Sequence, residues 1–171
     1  MTIGILGRIP MDRIPPDAAS LPLEIRRDER LGQRGVQSLR SFAAGEVIAP
    51  FRAAALYDRP AQMTLQVSEH EHIELTPTVL GFVNHGCAPN VYFDVEQRAL
   101  VALEPISAGD MLTFFYPSTE WTMALPFDCS CGSPRCLGRV AGASQLPEGA
   151  LQGHRLAPHI MKLLAQAKRK R

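Results

Sequence analysis

Three of the chain's four cysteines fall in one short stretch, FDCSCGSPRCLG, as Cys129, Cys131 and Cys136 with the spacing C-x-C-x4-C. The fourth, Cys87, lies some forty residues upstream in GFVNHGCAPN. Four thiolates can close a tetrahedral zinc site. A ligand so far away in sequence would pin the 129–136 segment against the loop at 87. Gly132, Pro134 and Gly138 supply the tight turns that such wrapping needs. The competing readings are four unrelated thiols or a redox pair. His85, beside Cys87, would be an alternative ligand.

The elements that must position these thiols belong to an ordinary globular chain. It has 171 residues, 46 % of them hydrophobic and 20 % charged, with a formal net charge of +1. That length holds one domain with a sizeable core. No apolar run approaches a membrane span. The near-neutral balance excludes a chain-wide field for nucleic acid or membrane. The start, MTIGILGRIPMDRIPP, lacks the apolar core of a secretory leader and is broken by Pro10, Pro15 and Pro16. The expected setting is intracellular and cytoplasmic, where clustered cysteines serve as metal ligands more often than as disulfides.

Short apolar segments separated by turn residues about every ten positions predict a mainly β domain. Strands are expected at Leu21–Ile25, around Gly35-Val36, after Ala44-Gly45, over Val67–Leu75 and over Met111–Tyr116. A hairpin is expected from Val91–Asp94 and Ala99–Leu103 around EQR. Residues 53–66 are ambiguous, with room for a short helix, and Thr76-Pro77 opens another that stops at Gly81. Leu156, Ile160, Leu163, Leu164 and Ala167 recur at helical spacing, so residues 157–168 predict a helix. The organisation expected is an irregular or strand lead-in over 1–30, a core domain over 31–121, a cysteine segment over 122–138 and a helical extension over 139–171.

NHGCAPN, then AGDMLTFFYPSTEW, then C-x-C-x4-C resembles the SET-domain protein lysine methyltransferases with a post-SET zinc segment. RGVQSLRSFAAGEVI resembles the opening segment of that family. The resemblance covers about Gly32 to Gly138, four motifs in the family's order. It implies a β-clip fold: several small curved sheets with a knot-like crossing that brings the 84–87 loop beside the 112–116 strand. It also implies S-adenosylmethionine as cofactor. Arg34, Gly35 and Val36 would touch it through backbone groups, Asn84 and His85 would contact its amino-acid and adenine parts, and Trp121 would pack on the cofactor or channel. Cys87, Cys129, Cys131 and Cys136 correspond to the zinc ligands. Tyr116 matches the catalytic tyrosine. Phe114 occupies the position that tunes methyl number and implies di- or trimethylation, while Phe51 stands where a second tyrosine is usual.

The chemistry suits such a site. A free lysine amine has a pKa of about 10.4, and a narrow apolar channel beside a sulfonium disfavours the ammonium form. The departures concern substrate. Gln33 and Arg34 replace a glycine and a tryptophan, Ala88 and Phe115 replace acidic residues, and the 52–73 insert is short. The implied partner is therefore a protein or peptide lysine, with a free amino acid or other small amine as the alternative. A partner-binding module of weak or no activity is the alternative from another class. His70-x-His72 on one strand face offers a metal pair, weighed against a solvated face. The basic end from Lys168 suits a solvated helix terminus, with an acidic partner or a nuclear signal, and so a nuclear setting, as the alternatives.

Overall fold

The computed structural model of the chain describes residues 5–8, 21–147 and 149–170. Pro10, Pro15 and Pro16 lie outside the described residues. In chain order the strands are β1 (Ile5–Arg8), β2 (Leu23–Asp28), β3 (Gln33–Ser38), β4 (Val47–Pro50), β5 (Arg52–Tyr57), β6 (Thr64–Gln66) and β7 (His72–Thr76). They continue with β8 (Asn84–His85), β9 (Val91–Asp94), β10 (Ala99–Ala102), β11 (Met111–Phe114), β12 (Phe127–Asp128) and β13 (Arg139–Val140). One α-helix, α1 (Pro158–Arg169), follows. The strands form small sheets in the orders β1-β5-β7-β6, β4-β10-β9, β2-β3-β11-β8 and β12-β13. The fold is thus mainly β, in several small sheets, with a C-terminal helix.

The sheet β2-β3-β11-β8 positions the site. β2 and β3 pair antiparallel from Leu23↔Ser38 to Asp28↔Gln33. Asp28 closes their turn, its Oδ1 accepting the N–H groups of Arg30 and Leu31, and Gly32 takes the left-handed conformation with φ 68°. Strand β11 pairs antiparallel with β3 (Leu112↔Val36) and parallel with β8 (Phe114↔His85). Asn90 locks this crossing: its Nδ2 donates to Met111 O and its Oδ1 accepts from the Thr113 N–H. The Gly86 N–H then donates to Phe114 O at 3.0 Å. A Cβ at Gly86 would lie 2.6 Å from Oγ1 and 2.8 Å from Cβ of Thr113, so the close packing of this loop on the Thr113 side chain requires glycine. Beneath the sheets, Val36, Phe51, Ile73, Leu80, Leu100 and Leu112 are fully buried in one core.

Several sequence expectations are met. The hairpin is β9–β10, its turn held by Asp94 Oδ1 accepting from Glu96 and Gln97. The helix runs from Pro158, at its first turn, and buries His159 and Ile160. Three expectations are corrected or narrowed. Residues 53–66 hold no helix: Ala-rich RAAALY is β5, because β1 and β7 hydrogen-bond on its two sides and bury Ala53 and Ala55. The lead-in is not irregular where described, since Ile5–Arg8 pairs with β5 and Arg26–Asp28 extend β2. The Val67–Leu75 strand is only β7, because Val67 N–H donates to Glu71 O and closes a turn.

Candidate functional site

The loop after β8 and the turn after β11 meet in a tight aromatic cluster. Tyr116 donates its hydroxyl to Val83 O at 3.2 Å and its backbone N–H to His85 Nδ1 at 3.3 Å. Its ring sits 4.6 Å from Phe114 and edge-on to His85 at 5.3 Å. Phe114 in turn meets Phe93 edge-on at 4.8 Å. Burial pushes the Tyr116 phenol up to about 12, so it stays protonated and can orient but not ionise. Burial holds His85 down at about 4. A neutral His85 that accepts at Nδ1 carries its proton on Nε2, which lies 3.1 Å from Cys87 Sγ.

Phe114, Phe93, Tyr116 and Val83 form one wall of a cavity of about 610 Å³. Asn84, His85, Gln33 and Arg34 form a second side, and the 123–130 segment with Phe127 a third. Asn84 is buried; its Nδ2 donates to Arg34 O at 3.0 Å and its Oδ1 accepts from Gln33 Nε2. A Cβ at Gly35 would sit 2.7 Å from Asn84 Nδ2, so glycine is needed for this contact. Of the residues singled out from sequence, Arg34, Asn84, His85, Phe114 and Tyr116 come together at the cavity. Gly35 stands directly behind Asn84. Val36 is wholly buried in the core, and Trp121 packs against that core; neither lines the cavity. Phe51 lies a layer deeper, edge-on to Phe93 at 5.6 Å. Phe115 stacks flat on His154 at 3.6 Å, a packing role.

The four cysteines are brought together as the spacing predicted. Their sulfurs all lie within 4.8 Å of one another, and none is in a disulfide. Tetrahedral zinc–thiolate geometry, with bonds of about 2.3 Å, places sulfurs about 3.8 Å apart. Cys87 Sγ and Cys129 Sγ are 3.9 Å apart. The set therefore fits a structural zinc ion. Burial pushes the Cys87 and Cys129 thiols up, whereas at Cys131 burial is outweighed by the N–H groups of Ser133 and Cys87. His85 is not a fourth-ligand competitor: its Nε2–H faces the Cys87 sulfur and orients it.

Sequence reasoning missed a second polar group at this cavity. Glu120 is buried on the wall, its Oε1 accepting from the Gln66 N–H at 2.8 Å and the Thr119 hydroxyl at 3.3 Å. Its Oε2 lies 3.7 Å from His72 Nδ1. The Trp121 N–H donates to Gln66 Oε1. His72 and His70 do not form a metal pair: His72 is buried against Glu120, while His70 is exposed on the turn before β7. The one signal in the sequence was the acid itself, in STEW, four residues after Tyr116.

No protein-family model matches the chain. The methyltransferase flvH of Aspergillus flavus is 37 % identical over 131 residues, covering 75 % of this chain and 73 % of flvH. A histone-lysine N-methyltransferase, H3 lysine-36 specific, of Aspergillus oryzae is 37 % identical over 70 residues, 37 % of this chain and 7 % of that protein. Among solved structures, KRYPTONITE in complex with mCHG DNA and SAH superposes with a TM-score of 0.54 at 21 % identity, over 70 % of this chain and 29 % of that one. The chain thus spans only small parts of the latter two. The 73 % coverage of flvH, the ordered motifs and the shared fold lead to one conclusion: the chain belongs to the SET-domain methyltransferases.

Proposed function

We propose that the chain is an S-adenosylmethionine-dependent lysine N-methyltransferase. The observation that carries this is the cavity wall itself. A protonated Tyr116, fixed by Val83 O and His85, stands beside the rings of Phe114 and Phe93. Aromatic rings suit the methylene stem of a lysine, and the phenol oxygen faces where its amine would arrive. The similarity to flvH supports methyl transfer, and that to the histone-lysine N-methyltransferase of Aspergillus oryzae supports lysine as the acceptor.

The residues present fit the cofactor. Asn84, bridging Gln33 and Arg34, offers an amide in a cleft with room for a nucleoside, and Gly35 leaves space for that amide. When bound, the cofactor supplies a methyl group activated on a sulfonium. The rest falls to the chain: Arg34, Gly35, Asn84 and His85 hold and orient, and Tyr116 directs the methyl group. Phe114, lacking a hydroxyl, leaves the amine free to turn between rounds and so to reach di- or trimethylation. Most of the acceleration comes from alignment and exclusion of water. Zinc on Cys87, Cys129, Cys131 and Cys136 supplies no chemistry to the reaction; it holds Phe127 and its neighbours against the cavity. We retain the division into a core domain over 31–121, a zinc segment over 122–138 and a helical extension.

The proposed setting is inside the cell, where thiolates stay reduced. Among the described residues no helix is long and apolar enough to cross a membrane. The test is transfer of labelled methyl groups to a panel of lysine peptides and to simple alkylamines, read by mass spectrometry. Methylation of peptide lysine that is lost in Tyr116→Phe is expected. Methylation of free amines alone would shift the reading to a small-amine enzyme, and cofactor binding without transfer to any amine would leave a binding module.

A further inference from the structure

Glu120 has no place in the zinc site or in the cofactor-holding residues, yet it lines the same cavity as Tyr116 and Phe114. Its residue is only 7 % exposed. A buried carboxylate is costly unless a cation compensates it. Among the described residues no lysine or arginine is paired with Glu120. The groups that face it are His72 from β7, the Gln66 backbone N–H from β6, and Thr119 and Tyr116 from its own segment. Behind them, His159 from α1 hydrogen-bonds through Nε2 to Thr119 O at 2.7 Å.

His72 does not supply the missing charge. Burial and the neighbouring His159 hold it down at about 4, so it is neutral. Its Nδ1 is buried and has no hydrogen-bond partner. Two polar atoms therefore face each other across 3.7 Å beside a cavity, and one of them, His72 Nδ1, is buried without a partner. A proton on Glu120 Oε2 would serve His72 Nδ1, and a cation in the cavity would serve the carboxylate. The carboxyl itself is held up at about 8 by burial, a poise suited to exchanging a proton near neutral pH.

Resting on the methyltransferase reading, we infer that Glu120 is the cation site of the cavity: its carboxylate binds the substrate ammonium and takes a proton from it, with His72 positioning that carboxyl. The step is R–NH3+ plus –COO− giving R–NH2 plus –COOH. One N–H bond breaks, one O–H bond forms on Oε2, and the electron pair stays on nitrogen as the nucleophile. Nothing is oxidised or reduced. At pH 7 the resting carboxyl carries a proton, which leaves to solvent as the ammonium binds; the proton then taken from the ammonium stays on Oε2 when product departs and is the one released by the next ammonium.

The experiment is calorimetric titration of n-butylammonium, a lysine side-chain mimic, into the zinc-loaded full chain saturated with S-adenosylhomocysteine. Repeating it in buffers of different ionisation enthalpy counts protons released on binding. About one proton per amine is expected at pH 7, falling toward zero above pH 9, because the free carboxyl is then already ionised. Glu120→Gln should remove this pH dependence and weaken binding at least about tenfold. Release that stays near one to high pH would mean the amine loses its proton to solvent without Glu120. Zero release at every pH, or no amine binding, would equally overturn the inference. The wild-type profile decides even if the variant does not fold. Failure of the cofactor analogue itself to bind would instead overturn the methyltransferase reading, and this inference with it.

Discussion

Removing the metal should unfold one segment and leave the rest standing. Cys129–Gly138 is ten residues long, and fixing a backbone costs about 1–2 kcal/mol per residue, so ordering it costs roughly 10–20 kcal/mol. Little in the protein offsets this. The Cys129 N–H donates to Gly138 O, the Cys136 N–H to Ser133 O, Arg30 Nη1 to Cys131 O and the Leu137 N–H to Cys87 Sγ. At about 1 kcal/mol each these return about 4 kcal/mol. A structural zinc site contributes about 10–16 kcal/mol, which closes the balance; without it the segment is short by several kcal/mol. The sheets that carry β3, β8 and β11 do not depend on those ten residues. Chelation should therefore expose Arg135 and Arg139 to trypsin, strip Phe127 from the cavity and abolish substrate binding, with far-UV circular dichroism almost unchanged. Reduced, gently purified protein should carry about one zinc per chain. A chelated chain that resists trypsin at these arginines, or a metal content near zero in the native protein, would refute the reasoning.

Tyr116→Phe should cut turnover at least about tenfold, leave cofactor affinity near normal and cost about 1–3 kcal/mol of stability, because Val83 O loses its donor; steady-state kinetics with calorimetry checks this, and a fully active variant would exclude the role. Phe114→Tyr should shift products toward fewer methyls, since the added hydroxyl enters a cavity that now presents a bare ring edge; an unchanged product ladder in mass spectra would reduce Phe114 to packing. Glu120→Gln should also change stability against pH. The unfolded chain releases this proton in the ordinary carboxylate range, near pH 4.3, while the fold holds it up to about 8. The native state thus binds the extra proton between those values, and wild-type stability falls as pH climbs through them. The variant should be more stable than wild type at pH 8, with the gap closing toward pH 4, as urea denaturation midpoints would show.

The motifs spoke plainly where one short segment holds both the chemistry and its turn. Cys129, Cys131 and Cys136 sit among turn-forming glycines and a proline, and Asp94 caps its own hairpin two and three residues on. Asn84, His85 and Tyr116 were legible because the family resemblance supplied the crossing that joins β8 to β11. Other features depend on partners far away in sequence. RAAALY has no strong strand propensity of its own; β1 and β7 impose its conformation. Glu120 gains meaning only from Gln66 and His72, about fifty residues upstream, and no local pattern marks that meeting. Trp121 and Val36 follow the motif in position but face the core, because register against Gln66 and β11 decides where they point.

The central claim is that the cavity beside Tyr116 and Asn84 receives the methyl donor. Calorimetric titration of S-adenosylmethionine into zinc-loaded protein tests it most directly, with Asn84→Ala alongside. Saturable binding near one per chain, weakened in Asn84→Ala, is the expected result. No heat of binding at millimolar cofactor, or equal affinity in the variant, would contradict the account.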